Sequence, residues 1–220
     1  MRKVILANDE IYHIYNLGVE RRPTFTDKRE YDRALLTLDY YRNAETITGL
    51  AQVLRLDSEK RDFFFSQLAK RNEKLIDVLC YCFMPNHFHF LLKQLIEGGI
   101  QTFVSNFSNS YTRYFNVKRK RIGPLFQGAF KAVRIEDNEQ LIHVSRYIHL
   151  NPVTSLFVKE SDLENYHYCS FKEYISGRAK ICDTNIVLNQ FPSVHGYKKF
   201  VYDQVEYGKR LELIKHLTFE

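Results

Sequence analysis

An α+β chain built on an antiparallel sheet with helices on one face is the fold class the sequence predicts. Three observations predict it. Two apolar strand-like runs, Leu75 to Met84 and His87 to Gln94, meet at a Pro85-Asn86 turn. Segments with helical spacing lie before and after that pair. The element order is strand, helix, strand, strand, helix, strand, helix, and its first six members are the split βαβ pattern of a ferredoxin-like domain.

Ile11-Tyr-His-Ile-Tyr-Asn-Leu-Gly18 reads as the first strand, and no single residue on it stands out as a site residue. After a loop, Thr26 or Asp27 is available to cap a helix over 28–43, where Tyr31, Leu35, Leu38 and Tyr41 recur at helical spacing. Within residues 44–74, Glu59 to Lys70 reads as a short helix around Phe63, Phe64 and Leu68, and what precedes it reads as an insertion. The central hairpin follows, then a break at Gly98-Gly99. The next helix carries Phe103, Phe107, Tyr111 and Tyr114 on one stripe. Leu125 to Ile135 reads as a strand, and Asp137 or Asn138 caps a last helix that ends at Pro152. These elements give a domain over residues 1–152 and a C-terminal extension over 153–220 without clear periodicity, packed on the domain or contacting DNA.

The formal charge of +6 favours a polyanionic partner. Cys80, Cys82, Cys169 and Cys182 form no C-x-x-C pair, so buried free thiols are expected. No run approaches membrane-spanning length and the N-terminus lacks a signal-like apolar stretch, so the chain is read as cytoplasmic.

Chemistry concentrates in two places. On a strand, positions i and i+2 share a face, so His87 and His89 stand side by side while Phe88, Phe90 and Leu92 face away. On the last helix His143, Tyr147 and Asn151 are spaced four apart and share a stripe, with Tyr147 at the margin of the buried face. Lys118, Arg119, Lys120 and Arg121 form a basic cluster after the aromatic helix. Lys131 and Arg134 lie on the next strand, and Arg21 and Arg22 follow the first. Each is a candidate phosphate contact.

His87-Phe-His89 after Met-Pro-Asn, followed by Arg146-Tyr-Ile-His-Leu-Asn-Pro-Val153, resembles the single-tyrosine HUH (IS200-like) transposases, in particular the REP-associated tyrosine transposases. Tyr12-His-Ile-Tyr-Asn16, Tyr111-Thr-Arg-Tyr-Phe-Asn116 and Gly123-Pro-Leu-Phe-Gln-Gly-Ala-Phe-Lys131 extend the resemblance over roughly residues 11 to 175. Ala129 and Leu17 stand where arginine is frequent in that family. These departures bear on DNA affinity and sequence preference and leave the chemistry intact.

The resemblance implies a ferredoxin-like fold, strand cleavage through a covalent 5′-phosphotyrosine, and a divalent metal. Carried over residue by residue, it makes Tyr147 the nucleophile and His87, His89 and Asn151 the metal ligands. Because Asn151 precedes a proline, its side chain is at risk of leaving the stripe; His143 is then the substitute ligand. His149 is expected to face elsewhere. Imidazole and amide donors with intracellular availability point to Mg²⁺ or Mn²⁺. The implied partner is single-stranded, hairpin-containing DNA, with a monomer favoured and a homodimer the alternative. Two other readings compete: a metal-dependent phosphodiesterase that uses water, and a domesticated hairpin-DNA-binding protein that does not cut.

Overall fold

The structure is a computed structural model and describes residues 4–44, 46, 48–71 and 73–210. Residues 211–220 of the predicted extension lie outside them.

The frame is a four-stranded sheet of β1 (Ile11–Leu17), β2 (Ile76–Met84), β3 (His87–Gln94) and β4 (Lys131–Arg134), in the order β2-β3-β1-β4. All three pairings are antiparallel, which is the ferredoxin-like arrangement the element order predicts. The hairpin turns at Pro85-Asn86. It is clamped from outside by Thr24 and Phe25, whose amides donate to the Pro85 carbonyl, and by Gly18, whose amide donates to that of Asn86. A Cβ on Gly18 would sit 2.3 Å from the Arg22 carbonyl oxygen, so only glycine lets the chain fold back this tightly beside the hairpin.

Helix α1 (Lys28–Tyr41) starts at Asp27, whose side chain accepts from the Glu30 amide. Short α2 (Leu50–Val53) and α3 (Ser58–Arg71) make up the insertion. Helix α4 (Gly99–Arg119) packs beside α1 on the Phe88/Phe90 face of the sheet. Phe107 lies 5.3 Å, ring to ring, from both Phe88 and Phe90. The buried stripe of α4 runs through Phe103, Phe107, Tyr111 and Phe115; Tyr114, expected on it, is only half-buried.

Two boundaries differ from expectation. The fourth strand covers only Lys131–Arg134, because Gly128 takes a left-handed φ of 55° and turns the segment before it. Residues Phe126 and Gln127 instead bond the end of β1. Helix α5 (Asn138–Thr154) does not stop at Pro152 but runs through it to Thr154. This close to the C-terminus the proline forfeits a single intrahelical donor, and burial of Asn151, Pro152 and Val153 holds the last turn in place.

Helix α5 lies on the other face of the sheet, the face of His87 and His89. The extension follows it, with a 3₁₀ turn (Glu160–Asn165), α6 (Phe171–Ser176), α7 (Asn185–Leu188) and α8 (Val194–Tyr202). It lies along the outer edge of β2: Phe83 donates its amide to the Tyr168 carbonyl, Ser170 donates to Tyr81, and Asp183 donates to Val78. Buried His149 ties α5 to this layer through Ser170 Oγ at 2.8 Å and the Tyr197 hydroxyl at 2.6 Å. Burial holds the His149 imidazole down to about 3, so it is a neutral structural group facing away from the Tyr147 stripe. The four cysteines are free and buried, as expected. Among the described residues no helix is long and apolar enough to cross a membrane.

Candidate metal and nucleophile site

Three elements meet over the middle of the sheet. β3 presents His87 and His89 on the α5 face, their rings 4.9 Å apart and nearly perpendicular. β1 presents His13 and Tyr15 on the same face, since Tyr15 pairs directly with His89 and His13 with Leu91. Helix α5 lays Tyr147 and Asn151 across them. The Tyr147 ring stands edge-on to His89 at 5.4 Å and to His13 at 6.0 Å, and is 44% exposed. In this structure the tyrosine helix lies over the histidines of its own chain.

Asn151 is buried and straddles the histidine pair, with Oδ1 3.3 Å from His87 Nε2 and Nδ2 3.4 Å from His89 Nε2. The predicted trio of His87, His89 and Asn151 is therefore brought together. His143, the substitute, turns the other way: its Nδ1 lies 2.7 Å from Arg146 Nη2, and its ring packs against Phe200 on α8.

The far side of each imidazole is also held. His87 Nδ1 lies 2.7 Å from Asn86 Oδ1, and Asn86 is itself anchored by donating to the Arg21 carbonyl. A neutral ring has one N–H; given to Asn86, it leaves the His87 Nε2 lone pair facing Asn151. His89 Nδ1 lies 2.9 Å from His13 Nε2. Burial lowers the His13 imidazole to about 4, so at neutral pH it is uncharged, and with its own proton on Nδ1 its Nε2 accepts from His89 Nδ1–H. That leaves the second Nε2 lone pair on the same side as the first. Metal-ligating histidines generally have a partner of this kind, which fixes the tautomer and orientation of the ring.

This donor chemistry fits a divalent ion. Two lone pairs and an amide oxygen converge, and two acceptors 3.3 Å apart disfavour each other unless a proton or cation lies between them. Ligands about 2.1 Å from a shared ion stand about 3.0–3.4 Å from each other, which matches that separation. Among the described residues no three His, Cys, Asp or Glu side chains converge as a metal site, so the candidate set depends on the amide as its third member.

The basic candidates divide by location. Lys131 on β4 pairs with Tyr15, so a row Cys82, His89, Tyr15, Lys131 crosses the sheet and brings one exposed ammonium beside the site. Arg134 points to the opposite face and makes a double hydrogen bond to Glu10. Lys118 and Arg119 bond Asp27 and the buried Glu30 carboxylate, so their charges are already matched inside the chain. Arg121 bonds Asn116, and Arg22 bonds Glu20. Arg21 contributes its backbone to the Asn86 anchor.

Sequence reasoning missed His13 and Asn86. The signal for His13 was the i, i+2 pair His13 and Tyr15, which repeats on β1 the spacing that marked β3. Only the β1–β3 register shows that both pairs share a face.

The fold and the cluster define a ferredoxin-like domain that carries a two-histidine, one-amide site beneath a tyrosine helix. Residues 54–151, which include His87, His89, Tyr147 and Asn151, match the family model described as Transposase IS200 like, and the resemblance read from the motifs stands. A solved structure of a REP-associated tyrosine transposase bound to a REP hairpin shares the fold, with a TM-score of 0.54 and 16% identity over 82% of this chain and 88% of that one. No curated relative matches the sequence.

Proposed function

We propose that the chain is a metal-dependent single-stranded DNA endonuclease and strand transferase acting through a 5′-phosphotyrosine on Tyr147. One observation carries this reading: the Tyr147 ring lies 5.4 Å from that of His89, beside the Nε2 donors that Asn151 bridges. His87, His89 and Asn151 would hold Mg²⁺ or Mn²⁺, which when bound neutralises charge developing on the phosphoryl oxygens.

An ordinary phenol titrates near about 10, so a tyrosine nucleophile benefits from a positioned, charge-neutralised phosphate. The Tyr147 oxygen attacks phosphorus, a Tyr–O–P bond forms and the P–O3′ bond breaks. The phenol gives up its proton and the departing 3′ oxygen gains one. Bond energy is kept in the new ester, so a 3′ hydroxyl of the same or another strand reverses the step without ATP. Asn86 and His13 keep the ligand rings oriented, and Lys131 adds positive charge beside the path of the strand. The half-exposed position of Tyr147 lets a flexible single strand reach it. By analogy with the hairpin-bound neighbour, we take hairpin-flanked or palindromic repeats as the substrate.

Incubation with single-stranded hairpin oligonucleotides and Mn²⁺, followed by a denaturing gel, tests this. A retarded protein–DNA band is expected, and should vanish in Tyr147→Phe and in His87→Ala. Cleavage that survives in Tyr147→Phe, with no adduct, would mean that water is the nucleophile and overturn the proposal.

A further inference from the structure

On the far side of the sheet from the site, α1, α2 and α4 enclose an open cavity of about 470 Å³ whose wall carries Arg33, Arg55 and Arg113. A second concavity continues it along α4 through Asn109, Arg113 and Val117 to Lys120 and Arg121. Among the described residues no carboxylate lines either one. Arg33, Arg55, Arg113 and Lys120 form no ion pair among the described residues. Lys118, at the cavity's edge, and Arg119 differ: both are matched by Asp27 and Glu30 of the α1 end. The run Lys118 to Arg121 is thus divided by the fold: Lys118 and Arg119 are matched by carboxylates, whereas Lys120 and Arg121 line the second concavity without one.

Arg33 is the most confined of these cations. Its guanidinium lies 5.1 Å from the centre of the Tyr114 ring, and among the described residues its buried Nε has no hydrogen-bond partner. Burial lowers its pKa from the ordinary value, opposed only in part by Tyr114 and Tyr41. An unmatched donor and three guanidinium groups in one wall favour an anion with several acceptor oxygens. The cations follow the groove rather than converge on a point, and Asn106, Asn109, Ser110 and Asn116 add neutral donors between them. That spacing suits a string of phosphates better than a single one.

We infer that this groove binds the phosphate backbone of a DNA segment outside the active site, a stem or flank rather than the strand being cut. Part of the wall, Gly49 to Arg55, comes from the insertion between α1 and β2, so the groove depends on a segment outside the split βαβ frame. The inference rests on the proposal that the chain handles DNA.

The test uses the full chain with Arg55→Gln and Arg113→Gln combined. Both side chains are exposed, and matching circular dichroism and melting curves establish that the variant folds. Affinity is measured at several salt concentrations for a long hairpin substrate and for a short oligonucleotide limited to the cleavage site. For the long substrate, affinity should fall about tenfold or more and the salt slope should drop by about two, one for each phosphate no longer neutralised. Short-substrate binding and adduct formation should be unchanged. An unchanged affinity and slope for the long substrate, with the adduct intact, would overturn the groove alone. Loss of the adduct in every form of the protein, with the arginine effect retained, would overturn the strand-transfer reading and leave the groove standing. Inorganic phosphate and ATP serve as the small-ligand arm. Arginine-dependent binding of either, with DNA affinity unaffected, would overturn the backbone assignment in favour of a soluble phosphate ligand.

Discussion

His13→Ala is the most informative single change at the candidate site, because it replaces neither the nucleophile nor a ligand. His13 Nε2 lies 2.9 Å from His89 Nδ1, the acceptor in the tautomer that frees His89 Nε2 for a metal, and His89 is only 6% exposed, so water is poorly placed to replace it. Leaving a buried N–H unsatisfied costs about 1–3 kcal/mol. An independent figure comes from the hydrogen-bond partners of metal-bound histidines, whose removal weakens metal binding by about 10–100-fold. At about 1.4 kcal/mol per tenfold, that is about 1.4–2.8 kcal/mol, the same range. The assay is calorimetric titration of Mn²⁺ into DNA-free protein, which reads the site without any turnover. His13→Ala should weaken binding by about 10–100-fold. His13→Gln, which can offer an oxygen acceptor, should recover part of the loss. Affinity within about twofold of the wild type for His13→Ala would refute the assignment of His13 as the group that sets the His89 tautomer.

Two further outcomes are expected. Asn151→Ala should weaken Mn²⁺ binding, whereas His143→Ala, engaged with Arg146 and Phe200, should leave it unchanged; the reverse pattern in the same titration would replace Asn151 in the ligand set. Glu30→Ala should destabilise the fold by about 3 kcal/mol in urea denaturation, the low end for breaking a buried pair, because Lys118 and Arg119 reach water. Burial alone would raise the Glu30 carboxyl, but hydrogen bonds from Arg119, Thr26 and Lys118 outweigh it and hold the carboxyl below its usual value. Its contribution is therefore present above the ordinary carboxylate range and lost as pH falls through the lowered value, so the gap between wild type and variant should narrow in acid. A constant gap from neutral pH down to about pH 3 would contradict this.

How much of this was legible in the chain follows from how local each signal is. The hairpin, the face shared by His87 and His89, and the stripe of Tyr147 and Asn151 are all set by spacings of two and four residues, and all appear where those spacings put them. His13 was illegible because its role depends on the register between two strands far apart in the chain. The fate of Lys118 to Arg121 was illegible for a related reason: a basic run looks uniform until a carboxylate from a distant helix chooses two of its members. Pro152 misled in the other direction. The local preference against helix before proline is real, but near the end of α5 the burial of Asn151 and its neighbours overrides it. The extension gave no period because its short helices and its path along β2 answer to the surface they cover.

That path has a consequence for assembly. The rim of β2 would otherwise offer a long apolar strand with open amides and carbonyls, the kind of margin on which a sheet grows into another molecule. Here Tyr168, Ser170 and Asp183 already occupy those backbone groups, and the Tyr166 and Tyr174 hydroxyls donate to two more carbonyls. A second copy cannot zip onto the histidine hairpin from that side. Edge-to-edge pairing of two such sheets is left to β4, and the histidine hairpin keeps its outer rim covered by its own chain.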